Sequence, residues 1–171
     1  MKKYFTITVL ALFFCASFIN IAAANELSKD EKALKLLSFW RDETNWKEAY
    51  KANVFDCSNM ASLLTLIFSD YQTRILLGYC EDGDGKRTGH TIVRILINGE
   101  IWYIDPPTLE VNTKEAYNYW DLVEFKNYKK AIYYMDAWYG TGKGEKEYDI
   151  PWSYVMENVF RKGDTDVSKR S

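Results

Sequence analysis

GHTIVRILINGEIWYIDPP, residues 89–107, holds the only histidine of the 171-residue chain and its clearest hairpin pattern. Two β-rich runs, 91–97 and 100–105, flank Asn98-Gly99. Asn-Gly suits a type I′ turn, whose two central residues both need positive φ. With a loop of those two residues, Ile97 opposes Glu100, Ile92 opposes Asp105 and His90 opposes Pro107. Side chains alternate along a strand, so His90 and Asp105 are expected on one face. Diagonal neighbours lie about 7–8 Å apart, a gap that strand twist and side-chain length let an imidazole and a carboxylate close. The pair suits a general base and the group that orients it, and equally suits a buried histidine paired for structure.

Upstream, FDCSNMASLLTLIFS at residues 55–69 places Ser58, Ser62, Thr65 and Ser69 on one narrow helical face with apolar residues nearly everywhere else. That pattern predicts a helix buried on most sides. Cys57 falls in its first turn, where unpaired N–H groups and the positive end of the helix dipole stabilise a thiolate. It also continues an apolar stripe through Ala61, Leu64 and Phe68, so a small core residue is the alternative.

The chain opens with a charged start at Lys2 and Lys3, an apolar run over residues 5–21 and the small residues Ala22, Ala23 and Ala24. This reads as an export signal, residues 1–24, cleaved before Asn25. Cys15 follows Leu12-Phe13-Phe14 without the small residue that a lipid-anchored signal shows before its cysteine. The alternative is an uncleaved N-terminal membrane anchor, because the run approaches the ~20 residues of a membrane span. Removal of 24 residues leaves 147, which predicts one domain over residues 25–162 followed by a polar tail, 163–171. The signal holds two of the 22 basic residues and none of the 24 acidic ones, so the mature chain is formally −4. It lacks a basic surplus and its Lys and Arg are scattered, which argues against nucleic acid as a partner. An aromatic content of 16% favours a packed globule over a disordered chain.

Export makes the cysteine count informative, since disulfides persist outside the cytosol. The mature chain has Cys57 and Cys80, which are free to pair on number alone. Their contexts, a helix start and a strand end beside a loop, do not require it.

Ser28 and Glu31 form a capping box ahead of a helix over 29–41, with Ala33, Leu34, Leu37 and Trp40 or Phe39 at helical spacing. Trp46 and Tyr50 lie in a weaker segment up to Val54, and residues 72–79 read as a strand. The acidic loop 81–85 fails as a calcium site, because Val93 stands where a closing Glu is needed. A helix is expected over 114–120, one or two strands over 129–139, and a last helix over 152–161 after Pro151. Gly140-Thr141-Gly142-Lys143-Gly144 lacks the Ser or Thr of a phosphate loop and reads as flexible surface.

A thiol at a helix start, then a strand, then a hairpin presenting His and Asp together, can assemble an acyl-transfer site. In it Cys57 attacks a carbonyl carbon, His90 exchanges the proton and Asp105 orients the imidazole. The Cys57 N–H supplies one oxyanion donor, and Asn53 and Tyr50 are the candidates for a second.

These blocks resemble the transglutaminase-like superfamily of papain-type proteins. The resemblance rests on Asp56-Cys57-Ser58 with Ala61, on Gly78 ending a strand, on Gly89-His90, and on Trp102-Tyr103-Ile104-Asp105-Pro106, and covers residues 54–108. The chain departs from the family pattern at Thr91-Ile92 and at Asp105-Pro106-Pro107-Thr108. The resemblance implies an α+β fold with a papain/transglutaminase-like core, in which a buried helix carrying the cysteine packs on an antiparallel sheet. It implies a Cys57-His90-Asp105 triad and no metal or organic cofactor. Two functions follow as expectations. One is a cysteine hydrolase or acyltransferase acting on peptides or proteins in the periplasm, the cell envelope or the medium. The other is a noncatalytic envelope module that offers surface aromatics such as Trp120, Trp138 and Tyr139 to a partner.

Overall fold

The computed structural model describes residues 27–81, 84–112 and 120–160. The export signal, the tail from Gly163, residues 82–83 of the acidic loop and residues 114–119 of the expected helix lie outside the described residues. Trp120 itself begins a strand.

Helix α1 (Lys29–Asp42) starts as the sequence predicts, with Ser28 Oγ accepting from the Glu31 N–H and Glu31 Oε2 accepting from the Ser28 N–H. Ala33, Leu37 and Trp40 face inward, whereas Leu34 and Phe39 are exposed. Helix α2 (Cys57–Ile67) is capped by Asp56, whose Oδ1 accepts from the Ser58 N–H, while Asn59 Oδ1 accepts in return from the Asp56 N–H. The cap matters because the first helical N–H groups have no acceptor of their own. Ser58, Ser62 and Thr65 are buried along with the apolar faces. Ser62 Oγ donates to the Ser58 carbonyl at 3.1 Å and Thr65 Oγ1 to the Ser62 carbonyl at 2.8 Å, so the polar stripe enters the interior satisfied.

The sheet has five antiparallel strands in the order β4-β3-β2-β1-β5: β1 (Gln72–Glu81), β2 (Arg87–Ile97), β3 (Glu100–Ile104), β4 (Val111–Asn112) and β5 (Trp120–Phe125). Asn98 and Gly99 take φ values of 51° and 87° in the β2–β3 turn. The register runs from Ile97 opposite Glu100 to Val93 opposite Ile104, as the two-residue loop requires. Val93, Ile95, Ile97 and Ile104 join Met60, Ala61 and Leu64 of α2, and Phe68 at its C-cap, in one apolar core. Each such aliphatic side chain contributes about 1.5–3 kcal/mol on burial. Trp46 bridges Trp40 and Phe55 through edge contacts at 5.4 and 6.0 Å between ring centroids, joining the α1 end of the core to the loop before α2. Among the described residues no helix is long and apolar enough to cross a membrane.

The second half departs from the sequence reading. The strands expected over 129–139 are a helix, α3 (Tyr128–Tyr139). Ile132, Tyr133 and Tyr134 favour strands locally, yet Asn127 Oδ1 caps the Lys130 N–H at 3.1 Å, and Ala131 with Tyr128, Ile132 and Met135 covers the core from one helical side. Tertiary packing overrides propensity there. Nor is the glycine-rich stretch merely loose surface. Gly140 and Gly142 take φ values of 100° and 85° to turn the chain into a short helix, α4 (Lys143–Tyr148), and Gly144 is buried against Ile132 of α3. The last helix, α5 (Trp152–Asn158), follows Pro151 as expected.

A Cβ at Gly144 would stand 2.1 Å from the Ile132 carbonyl oxygen, which is backbone and cannot step aside. Gly144→Ala is expected to lower unfolding stability by about 3 kcal/mol, the upper range for overpacking, read as a shift of the urea midpoint.

Candidate active site

The hairpin register and the capped start of α2 bring Cys57, His90 and Asp105 together. His90 Nε2 and Asp105 Oδ1 are 2.7 Å apart, the length of a charge-assisted hydrogen bond. The Cys57 side chain interacts with the same imidazole and helps to raise its pKa. Cys57 is a free thiol, half-buried at the first position of α2. The His90 and Asp105 side chains keep 21% and 16% of their exposure, so the group is sheltered yet reachable from solvent.

Electrostatics follow from the spacing. Burial presses the His90 pKa downward, but the hydrogen bonds to Asp105 and Cys57 and the charges on both outweigh it and raise the value from 6.5 to about 10. Burial pushes the Asp105 carboxyl up, and the hydrogen bonds from His90 and Thr108 with the charge of His90 hold it below its ordinary value. The imidazole is thus cationic at neutral pH, with the Asp105 carboxylate hydrogen-bonded to it.

Asp105 is positioned by more than the histidine. Its second oxygen, Oδ2, accepts from Thr108 Oγ1 at 2.8 Å and from the Thr108 N–H at 3.3 Å. Its backbone N–H donates to the Glu110 carbonyl at 3.0 Å, and the Leu109 N–H donates to its carbonyl at 2.8 Å. Pro106 and Pro107 have no N–H to extend the β2–β3 ladder, so the chain turns, and buried Trp46 donates from Nε1 to the Pro106 carbonyl at 2.6 Å. The tight Asp-Pro-Pro-Thr turn therefore orients the carboxylate. The three-residue spacing from Asp105 to Thr108 is a side-chain-to-backbone turn signal from which the role of Thr108 was readable.

The residues expected to supply a second oxyanion donor divide. The Asn53 N–H, on a backbone with φ 61°, donates to Asp56 Oδ2 at 3.2 Å and is spent on the helix cap. Tyr50 lies within electrostatic reach of the thiol: burial first, then the negative charges at Cys57 and Asp56, raise its phenol above the ordinary value. The Cys57 amide begins the helix, a position for which no intrahelical acceptor exists. The sequence reading missed Ser58, Thr91 and Tyr148, whose hydroxyls meet beneath the site. No local pattern announces a contact between residues so far apart in the chain.

Comparison with models of known families, with curated proteins and with solved structures returned no match.

The Asp105 carboxyl is depressed in the folded state, so its contribution to stability is present above the unfolded value near 3.8 and is lost as pH falls through the lower folded value. The stability difference between the wild type and Asp105→Asn, measured by urea unfolding, is expected to be largest near neutrality and to shrink below pH ~4. A gap that stays constant into acid contradicts this.

Proposed function

We propose that the chain is a cysteine-dependent acyl-transfer enzyme with a papain/transglutaminase-like core, acting on amide bonds of peptides or proteins outside the cytoplasm after loss of its first 24 residues. The observation that carries this reading is the His90 imidazole, bonded to Asp105 at 2.7 Å and in electrostatic contact with the thiol at the start of α2. The first half of the chemistry forms a thioester. Cys57 Sγ, its proton on His90, attacks the carbonyl carbon, and the carbonyl π electrons move to oxygen, which faces the Cys57 N–H. Collapse of that adduct breaks the C–N bond, and the departing amine takes the proton from His90. The second half releases the acyl group. Water or a primary amine attacks the thioester as His90 removes its proton, and the C–S bond breaks to return the thiolate. Asp105 holds the imidazole in place through both halves.

The noncatalytic alternative draws on Trp138 and Tyr139, which are 71% and 60% exposed on α3. It makes no demand on the thiol, and reactivity separates the two readings. Iodoacetamide applied at mildly acidic pH, with mass mapping of the product, is expected to label Cys57 in the wild type and to label it at least about tenfold more slowly in His90→Ala. Equal labelling of the two proteins removes His90 as the proton acceptor and favours the binding module.

A further inference from the structure

We propose that Tyr148 is a positioning residue for the Cys57–His90 pair, acting through a buried chain of hydroxyls that it forms with Thr91 and Ser58. This inference rests on the acyl-transfer reading and deepens it. Thr91 directly follows His90, and Ser58 directly follows Cys57. Thr91 Oγ1 shares a hydrogen bond with Ser58 Oγ at 3.1 Å and another with the Tyr148 hydroxyl at 3.3 Å. The Ser58 side chain is also near enough to the Tyr148 hydroxyl to act on its pKa, so Thr91 links the two through a chain of hydroxyls.

All three side chains are buried, with Thr91 at 0%, Tyr148 at 1% and Ser58 at 7% exposure. A buried hydroxyl is tolerated only where its donor and acceptor capacities are used, so the trio fixes directions that an apolar trio of equal volume would leave to packing alone. What it fixes is the approach of β2 to the first turn of α2, one residue from the imidazole on one side and one residue from the sulfur on the other.

Tyr148 ends α4, which is held independently of the trio. Asn59 Nδ2 donates to the Asp149 carbonyl at 2.7 Å and to the Lys146 carbonyl at 3.4 Å, and Gly144 lets α4 lie directly on α3. The third hydroxyl is therefore anchored to a frame outside the hairpin and gives the other two a reference point. Burial, opposed by the hydrogen bonds to Thr91 and Ser58 and reinforced by the charges at Cys57 and Glu147, pushes the Tyr148 phenol upward. It stays neutral beside the thiol and keeps its proton for the network.

The test is the pH profile of Cys57 alkylation by iodoacetamide in the purified protein, a readout that general loosening of the fold does not shift in a defined direction. Tyr148→Phe keeps the ring and removes the hydroxyl. It is expected to retain the near-ultraviolet circular dichroism of the wild type and to lose about fivefold in rate on the acidic limb, a loss on the scale of one hydrogen bond, with the alkaline plateau unchanged. Thr91→Val is expected to match it, Thr91→Ser to restore the wild-type profile, and Tyr148→Phe with Thr91→Val to add no further loss. If Tyr148→Phe follows the wild-type profile while His90→Ala loses the acidic limb, the positioning role is overturned and the triad stands. If His90→Ala also follows the wild type, both are overturned. Should Tyr148→Phe fail to fold, identical profiles for Thr91→Val and Thr91→Ser overturn the proposal in its place.

Discussion

The pairing register of β2 with β3 is the constraint on which the rest depends. Val93 opposite Ile104 and Ile97 opposite Glu100 put Val93, Ile95, Ile97 and Ile104 against α2. A slip of one residue would leave the β2 and β3 members of this set on opposite faces of the sheet, turning one strand's share of the core outward, and would separate His90 and Asp105 in the same way. Burial of four aliphatic side chains at about 1.5–3 kcal/mol each outweighs a single charge-assisted hydrogen bond at about 1.5–3 kcal/mol. The core therefore selects the register, and the contact between imidazole and carboxylate is inherited from it.

Around that contact, polar groups are oriented in succession. Thr108 and the turn through two prolines aim Asp105, Asp105 aims His90, and His90 meets a thiol whose helix is capped by Asp56. Trp46 adds a rigid support, since its indole N–H holds the Pro106 carbonyl while its ring sits between Trp40 and Phe55. The carboxylate turn is thereby tied to the aromatic end of the core and not left to solvent.

Local signals made the first half legible. Asn98-Gly99 set the hairpin, Ser28 and Glu31 set the start of α1, and the apolar run after Asp56 set α2, because each depends on neighbours within a few residues. The second half was harder for the same reason. Ile132, Tyr133 and Tyr134 carry β-favouring side chains, and only the packing of Ala131 and its neighbours on the core makes α3 a helix. Gly144 looked like loop chemistry, while its reason for being glycine is the Ile132 backbone. At the site the types Cys57, His90 and Asp105 were readable, as was their convergence on one hairpin and one helix start. The use of the Asn53 N–H in the Asp56 cap was not readable, and Tyr148 was invisible because its contact with Thr91 crosses 57 positions of chain.

The contacts of Asn59 with Lys146 and Asp149 have a consequence for biosynthesis. A chain leaving the ribosome has already made its Cys57, His90 and Asp105 side chains when the segment that braces the α2 start is still untranslated. Helix α2 gains its last polar neighbours only when the late helices dock, so its surroundings mature at the end of folding and not as the hairpin emerges.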